Sequence, residues 1–227
     1  MNQSHIVTSF DEDLKTVSGK LLEMAGYAED LVHKAVRSLT TADMELARLV
    51  IDEDKLIDRK QSELDEMAVL LIARRQPMAN DLREVVGALR MANDIERIGD
   101  MGKSIARRVI EIGDLGDLRT RIRGLEQLTS LALEQLKEVL DAYAARDLTR
   151  AKLVWERDEE IDALYTSLFR ELLTYMMEDP SNITPCTHLL FCAKNIERVG
   201  DHATNIAEIV EFIQTGKIEF EKESHAL

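Results

Sequence analysis

The sequence is poor in the residues that interrupt helices or build β-sheets. Among its 227 residues there are 3 prolines and 10 glycines, and aromatic side chains make up 4%. Leu, Ala, Glu, Arg and Met are abundant instead, and these side chains lose little rotamer freedom in a helix. No segment shows an alternating strand pattern of comparable strength. The composition therefore predicts an all-α protein that forms one large domain or two small ones.

Basic blocks and long apolar runs are also missing. The net charge is −14 without any cluster of Lys or Arg, and because such a surface repels the phosphate backbone, we expect no nucleic-acid partner. The longest aliphatic run, Met67 to Ala73, is far shorter than the roughly 20 residues that span a bilayer. The N-terminus has no signal-peptide pattern. We expect a cytoplasmic protein that reaches a membrane only through protein partners.

Several catalytic and redox motifs do not occur. The cysteines Cys186 and Cys192 fit neither a CxxC redox pair nor a zinc knuckle, so we predict reduced thiols. None of the five histidines follows a glutamate by three positions, as the di-iron helical bundles require. His202 follows an aspartate and is predicted to lie at the surface. GxSxG, P-loop and GxGxxG motifs are absent, and we predict no catalytic residue.

The most informative feature is an internal duplication. Residues 94–100 read DIERIGD and residues 195–201 read NIERVGD, so five of seven positions match at an offset of 101. An apolar stripe with 3-4 spacing accompanies each copy, from Ala88 to Ile112 and from Leu189 to Ile213. This spacing places apolar groups on one face of a helix. Each copy is therefore predicted to lie on a long amphipathic helix packed in a bundle.

The preceding segments repeat at an offset of 104, which aligns Asp43 with Asp147 as two predicted N-caps. The fold class predicted is two tandem antiparallel three-helix bundles related by this duplication. The predicted domains are a first repeat at 8–114, a second at 115–216 and a flexible tail at 217–227, with a hinge at 113–117. The predicted helices cover 11–41, 43–75, 78–112, 117–145, 147–178 and 184–215.

The repeated motif carries paired carboxylates. In Glu-x-x-x-Asp the two acids share one helix face, and such oxygen pairs can bind a hard or borderline cation. The pairs are Glu96/Asp100, Glu197/Asp201, Asp54/Asp58 and Asp158/Asp162. The pair Glu197/Asp201 is predicted to lie opposite the core stripe. A solvated acidic face remains an alternative explanation, since a chain with 43 acidic residues contains such pairs by chance.

A glycine accompanies each third-helix pair. Gly99 and Gly200 lie in the middle of a predicted helix, where glycine costs about 1 kcal/mol relative to alanine. The missing side chain leaves space for an ion cluster or for a closely approaching helix. Arg97 and Arg198 also repeat, and they either neutralise the acidic face or present a basic group to a partner.

The repeated IERxGD motif, with the extension IERVGDHATNIAE and the stretch ARRQPMANDLR at 73–83, resembles the PhoU family over about residues 8–216. The resemblance implies two three-helix bundles and no established catalysis. It implies a negative regulator of the phosphate-starvation response and a modulator of phosphate uptake. Such a protein is an adaptor between a phosphate ABC transporter and a phosphate-sensing histidine kinase, and members often form homodimers.

The resemblance also implies a multinuclear metal cluster. Iron or zinc is expected from the family, and manganese or magnesium from the oxygen ligands. The ligands implied are Glu96, Asp100, Glu197, Asp201, Asp54, Asp58, Asp158 and Asp162. The helix-two motifs begin here with the shorter Asp. A metal-dependent enzyme or a metal-storage helical protein remains the alternative function.

Overall fold

The computed structural model describes residues 2–113, 115, 116, 118 and 123–220, with side chains from residue 12 onward. Over these residues the chain is helical, without a strand, which confirms the all-α fold class. The helices are α1 (Asn2–Thr41), α2 (Met44–Arg75), α3 (Asn80–Ile112), α4 (Arg123–Ala145), α5 (Leu148–Glu156), α6 (Asp158–Glu178) and α7 (Ile183–Thr215). No helix in this part of the chain is long and apolar enough to cross a bilayer.

The N-caps predicted from the duplication are confirmed. Asp43 accepts a hydrogen bond from the Leu46 amide at 2.9 Å, and Asp147 accepts one from the Arg150 amide at 3.0 Å. Each carboxylate thus satisfies an amide that the first helical turn leaves without a backbone partner. The two repeats therefore begin their second helix in the same way.

The predicted fifth helix, 147–178, is divided at Arg157 into α5 and α6. The Arg157 amide is shared between the carbonyls of Leu153 and Val154, at 3.2 and 3.3 Å. Asp158, Glu159 and Glu160 fill the first turn of α6, where negative charge is favourable. The single helical period across this segment did not reveal the break. Helix α7 begins at Ile183, one residue before the predicted start.

The two bundles share one continuous core. Helices α1, α2 and α3 pack against each other, and α4, α5 and α6 pack around α7. Helices α3 and α7 also pack together, and α1 contacts α4. Leu115, in the connection predicted to be a hinge, and Leu118, just after it, are buried, while 114 and 117 lie outside the described residues. The connection is therefore anchored to the core at Leu115 and Leu118.

The beginning of the predicted tail makes contacts with the second repeat. The amides of Glu219 and Phe220 donate to Glu211 Oε2 at 2.9 and 3.1 Å, and the rings of Phe220 and Trp155 lie 5.8 Å apart. These contacts hold residues 219 and 220 of the predicted tail against α7 and α5. Its remaining part, 221–227, lies outside the described residues.

Candidate functional site

Four predicted acids of the first repeat lie together where α2 faces α3, and we call them the first acidic cluster: Asp54, Asp58, Glu96 and Asp100. Burial raises the pKa of Glu96 above its usual range, and the charges of Asp100, Asp58 and Asp54 raise it further. These charges act on one another because the four carboxylates are neighbours. The structure thus brings together the acids that the i,i+4 spacing selected on two separate helices.

Lys103, which the sequence analysis did not single out, supplies a cation to this cluster. Its Nζ donates a short hydrogen bond to Asp54 Oδ2 and lies 3.4 Å from Asp100 Oδ1. Asp54 is only 2% exposed. Burial raises the pKa of Asp54, and the hydrogen bond from Lys103 lowers it in part. The ammonium group thus offsets some of the cost of a buried carboxylate.

The second acidic cluster comprises Asp162 on α6 with Glu197 and Asp201 on α7. Burial raises the pKa of Glu197, and the charges of Asp201 and Asp162 raise it further against the opposing hydrogen bond from Lys194. Asp158 is buried at the first residue of α6. Three of the four acids predicted for the second repeat therefore lie close enough to act on one another.

A lysine also contacts this second cluster, but from a different position in the repeat. Lys194 Nζ lies 2.5 Å from both carboxylate oxygens of Glu197, and only Oε1 accepts a hydrogen bond from it. Lys194 precedes its glutamate by three residues, whereas Lys103 follows Asp100 by three. At the offset of 101 these lysines correspond to Asn93 and Thr204. The i,i+3 spacing of Lys103 from Asp100 and of Lys194 from Glu197 could have identified both ion pairs. The duplication could not, because neither lysine has a lysine at the equivalent position.

The prediction that Glu197 lies opposite the core is wrong. Its exposed fraction is 7%, because α7 packs against α3, α4, α5 and α6 rather than against one neighbour. A single apolar stripe marks one buried face of a helix, whereas a central helix such as α7 buries more than one face. Its partner in the motif, Asp201, is half-buried.

The two motif glycines allow close helix packing. A Cβ on Gly99 would lie 2.7 Å from Cδ1 of Ile57, and a Cβ on Gly200 would lie 2.7 Å from Cδ1 of Ile161. Ile57 and Ile161 are equivalent at the offset of 104. The close approach of a neighbouring helix, one of the two explanations considered for the glycines, is therefore what both repeats contain.

The second cluster has a buried oxygen acceptor beside it that makes no hydrogen bond. Over the described residues, no group of three or more His, Cys, Asp or Glu side chains is arranged to hold a metal. In this same part of the chain, however, Gln135 Oε1 is buried without a hydrogen-bond partner, whereas Glu197 Oε2, which also accepts no hydrogen bond, lies 2.5 Å from Lys194 Nζ. Carboxylate and amide oxygens suit a hard divalent cation. Gln135 lies on α4, and no sequence motif marked it.

The prediction of a surface role for His202 is wrong. Its Nδ1 lies 2.8 Å from Asp94 Oδ1, across the contact between α7 and α3. Asn205 donates to the same oxygen at 3.2 Å. Asp94 is only 8% exposed. The contact was missed because it joins residues 108 positions apart, which no single-helix pattern can relate.

The two cysteines are free and buried. Burial raises the pKa of Cys192 to about 12, so that its thiol stays protonated near neutral pH. Burial raises the pKa of Cys186 as well. A protonated, buried thiol is a poor nucleophile, and neither cysteine contributes to the acidic clusters.

Two helical units, one of three helices and one of four, each with an acidic cluster on its last two helices and a glycine against an isoleucine, define a duplicated helical-bundle protein. The family model of the PhoU domain matches residues 21–109 and 125–210. The chain belongs to the PhoU domain family, as its motifs indicated.

Known proteins resemble the chain over nearly its whole length. It is 57% identical to a phosphate-specific transport system accessory protein PhoU homolog of Rhizobium meliloti, over 95% of this chain and 91% of the relative. A homolog of the same description in Caulobacter vibrioides is 47% identical, over 94% and 93%. The crystal structure of PhoU from Pseudomonas aeruginosa superposes with a TM-score of 0.84 at 37% identity, covering 92% of this chain and all of that one.

Proposed function

We propose that this protein is an accessory regulator of phosphate transport and not an enzyme. The observation that carries the proposal is the match to relatives described as phosphate-specific transport system accessory proteins, which covers 95% of this chain and 91% of the first relative. Because the alignment spans both repeats, the regulatory unit of those relatives has its counterpart here. The duplicated motif and the shared fold support the same role.

In finer detail, we propose an adaptor between a phosphate ABC transporter and a sensor histidine kinase, which it holds inactive when phosphate is plentiful. Arg97 and Arg198 are exposed at equivalent positions of the two repeats, where they can contact an acidic partner. The strongly negative net charge of −14 steers encounters with basic protein surfaces. Control by an accessory protein of this kind passes through such protein contacts.

A deletion strain tests this role. Without the gene, alkaline phosphatase, in an organism that uses it as an output, should be expressed at high phosphate, and a second deletion of the sensor kinase should restore repression. The wild-type gene supplied in trans provides the control. Normal repression in the single deletion, in a genome without a second copy, would contradict the proposed function. Derepression that persists without the kinase would contradict the adaptor role while leaving a transport role in place.

A divalent cation at the second acidic cluster is a second proposal, favoured by the buried Gln135 Oε1, which has no hydrogen-bond partner, and by the buried carboxylate of Glu197. Glu197, Asp201, Asp162 and Gln135 would hold iron, zinc, manganese or magnesium there, and the cation would neutralise carboxylates that burial destabilises. Each cluster already has a lysine, Lys103 at Asp54 and Asp100 and Lys194 at Glu197, so a cation would have to displace that ammonium group.

Elemental analysis of protein purified from metal-replete cells tests this proposal. The wild type should retain the metal after gel filtration, and Glu197→Gln with Asp201→Asn should lose it. Glu96→Gln with Asp100→Asn reports on the first cluster in the same way. The matched control is Glu134→Gln, at an exposed position of α4. An unchanged metal content in the Glu197/Asp201 variant would refute the site.

We also propose that the protein forms homodimers, as members of this family often do. Light scattering of the purified protein should then give about twice the chain mass of 25.8 kDa. A monomer mass that does not change over a hundredfold range of concentration would refute this proposal.

A further inference from the structure

A small, strongly basic cavity lies where α3 and α7 pack together. Its volume is about 260 Å³, and it is lined by Arg97, Lys103, Arg107 and Arg198, with Asp100 as the one carboxylate among its described lining residues. Four cationic groups around one anionic group are unexpected on a chain with a net charge of −14. The cavity therefore carries a local positive charge, whereas the protein as a whole is negatively charged.

The carboxylate in the cavity is already engaged. Asp100 lies 3.4 Å from Arg97 Nη1 and 3.4 Å from Lys103 Nζ. Within the described part of the chain, neither Arg107 nor Arg198 has an ion-pair partner. Two guanidinium groups thus face the same cavity with their charges uncompensated. A guanidinium binds a tetrahedral oxyanion well, because its planar fork donates two parallel hydrogen bonds.

Neutral donors complete the lining. Ser104 on α3 and Asn195 on α7 both line the cavity. In the residues that the structure describes, neither side chain has a hydrogen-bond partner. A hydroxyl and an amide can each donate to an oxyanion without adding charge. The cavity therefore combines uncompensated cations with unused neutral donors.

The internal duplication shows how the cavity differs from its counterpart at the equivalent place of the α3–α7 contact. At the offset of 101, Asn195 corresponds to Asp94, Met101 to His202 and Ser104 to Asn205. At the equivalent place, Asp94 accepts hydrogen bonds from His202 and Asn205. On the cavity side, the equivalent carboxylate is replaced by the amide of Asn195. This exchange removes the negative charge that would repel an anion at this position.

From this arrangement we propose that the cavity binds a small tetrahedral oxyanion, of the chemistry of inorganic phosphate or sulfate. Arg107 and Arg198 hold its charge, and Ser104 and Asn195 hydrogen-bond its remaining oxygens. A volume of about 260 Å³ lies below the range of about 300–1,000 Å³ typical of drug-sized ligands, which favours a small ion. The site adjoins the first acidic cluster, with which it shares Asp100 and the lysine Lys103, and does not depend on the proposed regulatory role.

Isothermal titration calorimetry of the purified full-length chain with inorganic phosphate, in a low-chloride buffer, tests the site. The wild type should bind with one-to-one stoichiometry, and Arg107→Gln with Arg198→Gln should weaken binding at least about tenfold. The matched control is Arg37→Gln with Arg59→Gln, which removes the same charge from exposed positions of α1 and α2. Equal affinity in the two double variants would show that net charge alone acts, and would overturn the proposal.

Asn195→Asp provides a second variant that keeps every cation and nearly the same side-chain shape. Because it restores the carboxylate found at the equivalent position, Asp94, of the first repeat, it should abolish phosphate binding, with circular dichroism confirming an unchanged helical content. Retention of wild-type affinity in this variant would overturn the site. Sulfate should compete with phosphate. If glycerol phosphate binds more tightly than inorganic phosphate and Asn195→Asp abolishes both, the oxyanion is the phosphoryl group of an ester rather than the free ion. Absence of phosphate binding by the folded wild type would refute the proposal without bearing on the regulatory role.

Discussion

His202 on α7 donates a hydrogen bond from Nδ1 to Oδ1 of Asp94 on α3, at 2.8 Å, and so joins the second repeat to the first. Because an ionised carboxylate can only accept, the imidazole carries its hydrogen on Nδ1. Asp94 is nearly buried, and Asn205 is its second donor. The contact satisfies a carboxylate that the packing of α3 against α7 removes from water.

Replacement of His202 by alanine should destabilise the whole chain. The substitution leaves Asp94 with one of its two donors, and the loss of a hydrogen bond to a buried charged group costs about 1.5–3 kcal/mol. Urea unfolding followed by circular dichroism measures the change. His33→Ala, at an exposed position of α1, should change the free energy of unfolding by less than about 0.5 kcal/mol. Equal effects of the two substitutions would show that the inter-repeat contact adds nothing to stability.

The motif glycine and its isoleucine should be energetically coupled. Gly99→Ala places a Cβ 2.7 Å from Ile57 Cδ1, and such overpacking costs about 1–3 kcal/mol against a gain of about 1 kcal/mol in helix propensity. Ile57→Val removes the clashing methyl group. A double-mutant cycle should therefore show a favourable coupling of about 0.5–2 kcal/mol.

The same glycine substitution at an open position is the control for this cycle. A Cβ on Gly26 would meet no atom within 4 Å, so Gly26→Ala should stabilise the protein by about 1 kcal/mol. If Gly99→Ala stabilised to the same extent, the close approach of α2 to α3 would not be the reason for the glycine.

The buried carboxylate of Glu197 should make stability depend on pH. Its folded-state pKa is raised chiefly by burial, so the folded state binds its proton more tightly than the unfolded state does. The free energy of unfolding therefore falls as pH rises from the usual range of a glutamate through the raised pKa, and the loss is complete above it. Glu197→Gln should lack this fall, because an amide does not ionise. The free energy of unfolding of Glu197→Gln should therefore exceed that of the wild type by an amount that grows toward neutral pH.

Thermal unfolding between pH 4 and pH 8 measures this difference. Glu134→Gln, at an exposed site, should follow the wild-type profile. In Glu197→Gln, the half-exposed Lys194 keeps its hydration and adds no comparable penalty. If the wild type became more stable than Glu197→Gln as pH rises, the prediction would be contradicted. The ion pair with Lys194 would then stabilise the carboxylate more than burial destabilises it.

The two N-caps should contribute equally. Asp43→Ala and Asp147→Ala each remove one hydrogen bond to a first-turn amide, at a cost of about 0.5–2 kcal/mol. The losses should add, because the caps belong to different repeats. Urea unfolding of both single variants and the double variant checks this, with Asp65→Ala, at an exposed position within α2, as the control. A double variant no less stable than the singles would exclude independent capping.

The helices and caps that could be predicted are those whose sequence signals lie within a few residues of one another. The aspartates Asp43 and Asp147 marked helix starts because a cap acts within three residues, and the 3-4 stripes located α3 and α7. The i,i+4 acids were brought together by the fold because each pair shares one helix face. The division at Arg157 was missed because the apolar period continues through it.

Contacts between distant residues could not be predicted in this way. The burial of Glu197 depends on how many helices surround α7, and the His202–Asp94 contact depends on how α7 lies against α3. Lys103 was overlooked because its strongest partner, Asp54, lies 49 residues away on another helix. The basic cavity combines residues of both repeats, so neither repeat alone shows its charge.

The packing of α3 against α7 has a consequence for how such a chain could have originated. The two helices occupy equivalent places in their repeats, so a single repeat alone would leave this apolar face uncovered, and two identical copies could cover it by pairing about a twofold axis. Fusion into one polypeptide makes that association independent of concentration. Fusion also allows the residues on the two sides of the former symmetry axis to change separately. One side could then acquire the hydrogen bond between a histidine and an aspartate, and the other the arginine-lined cavity.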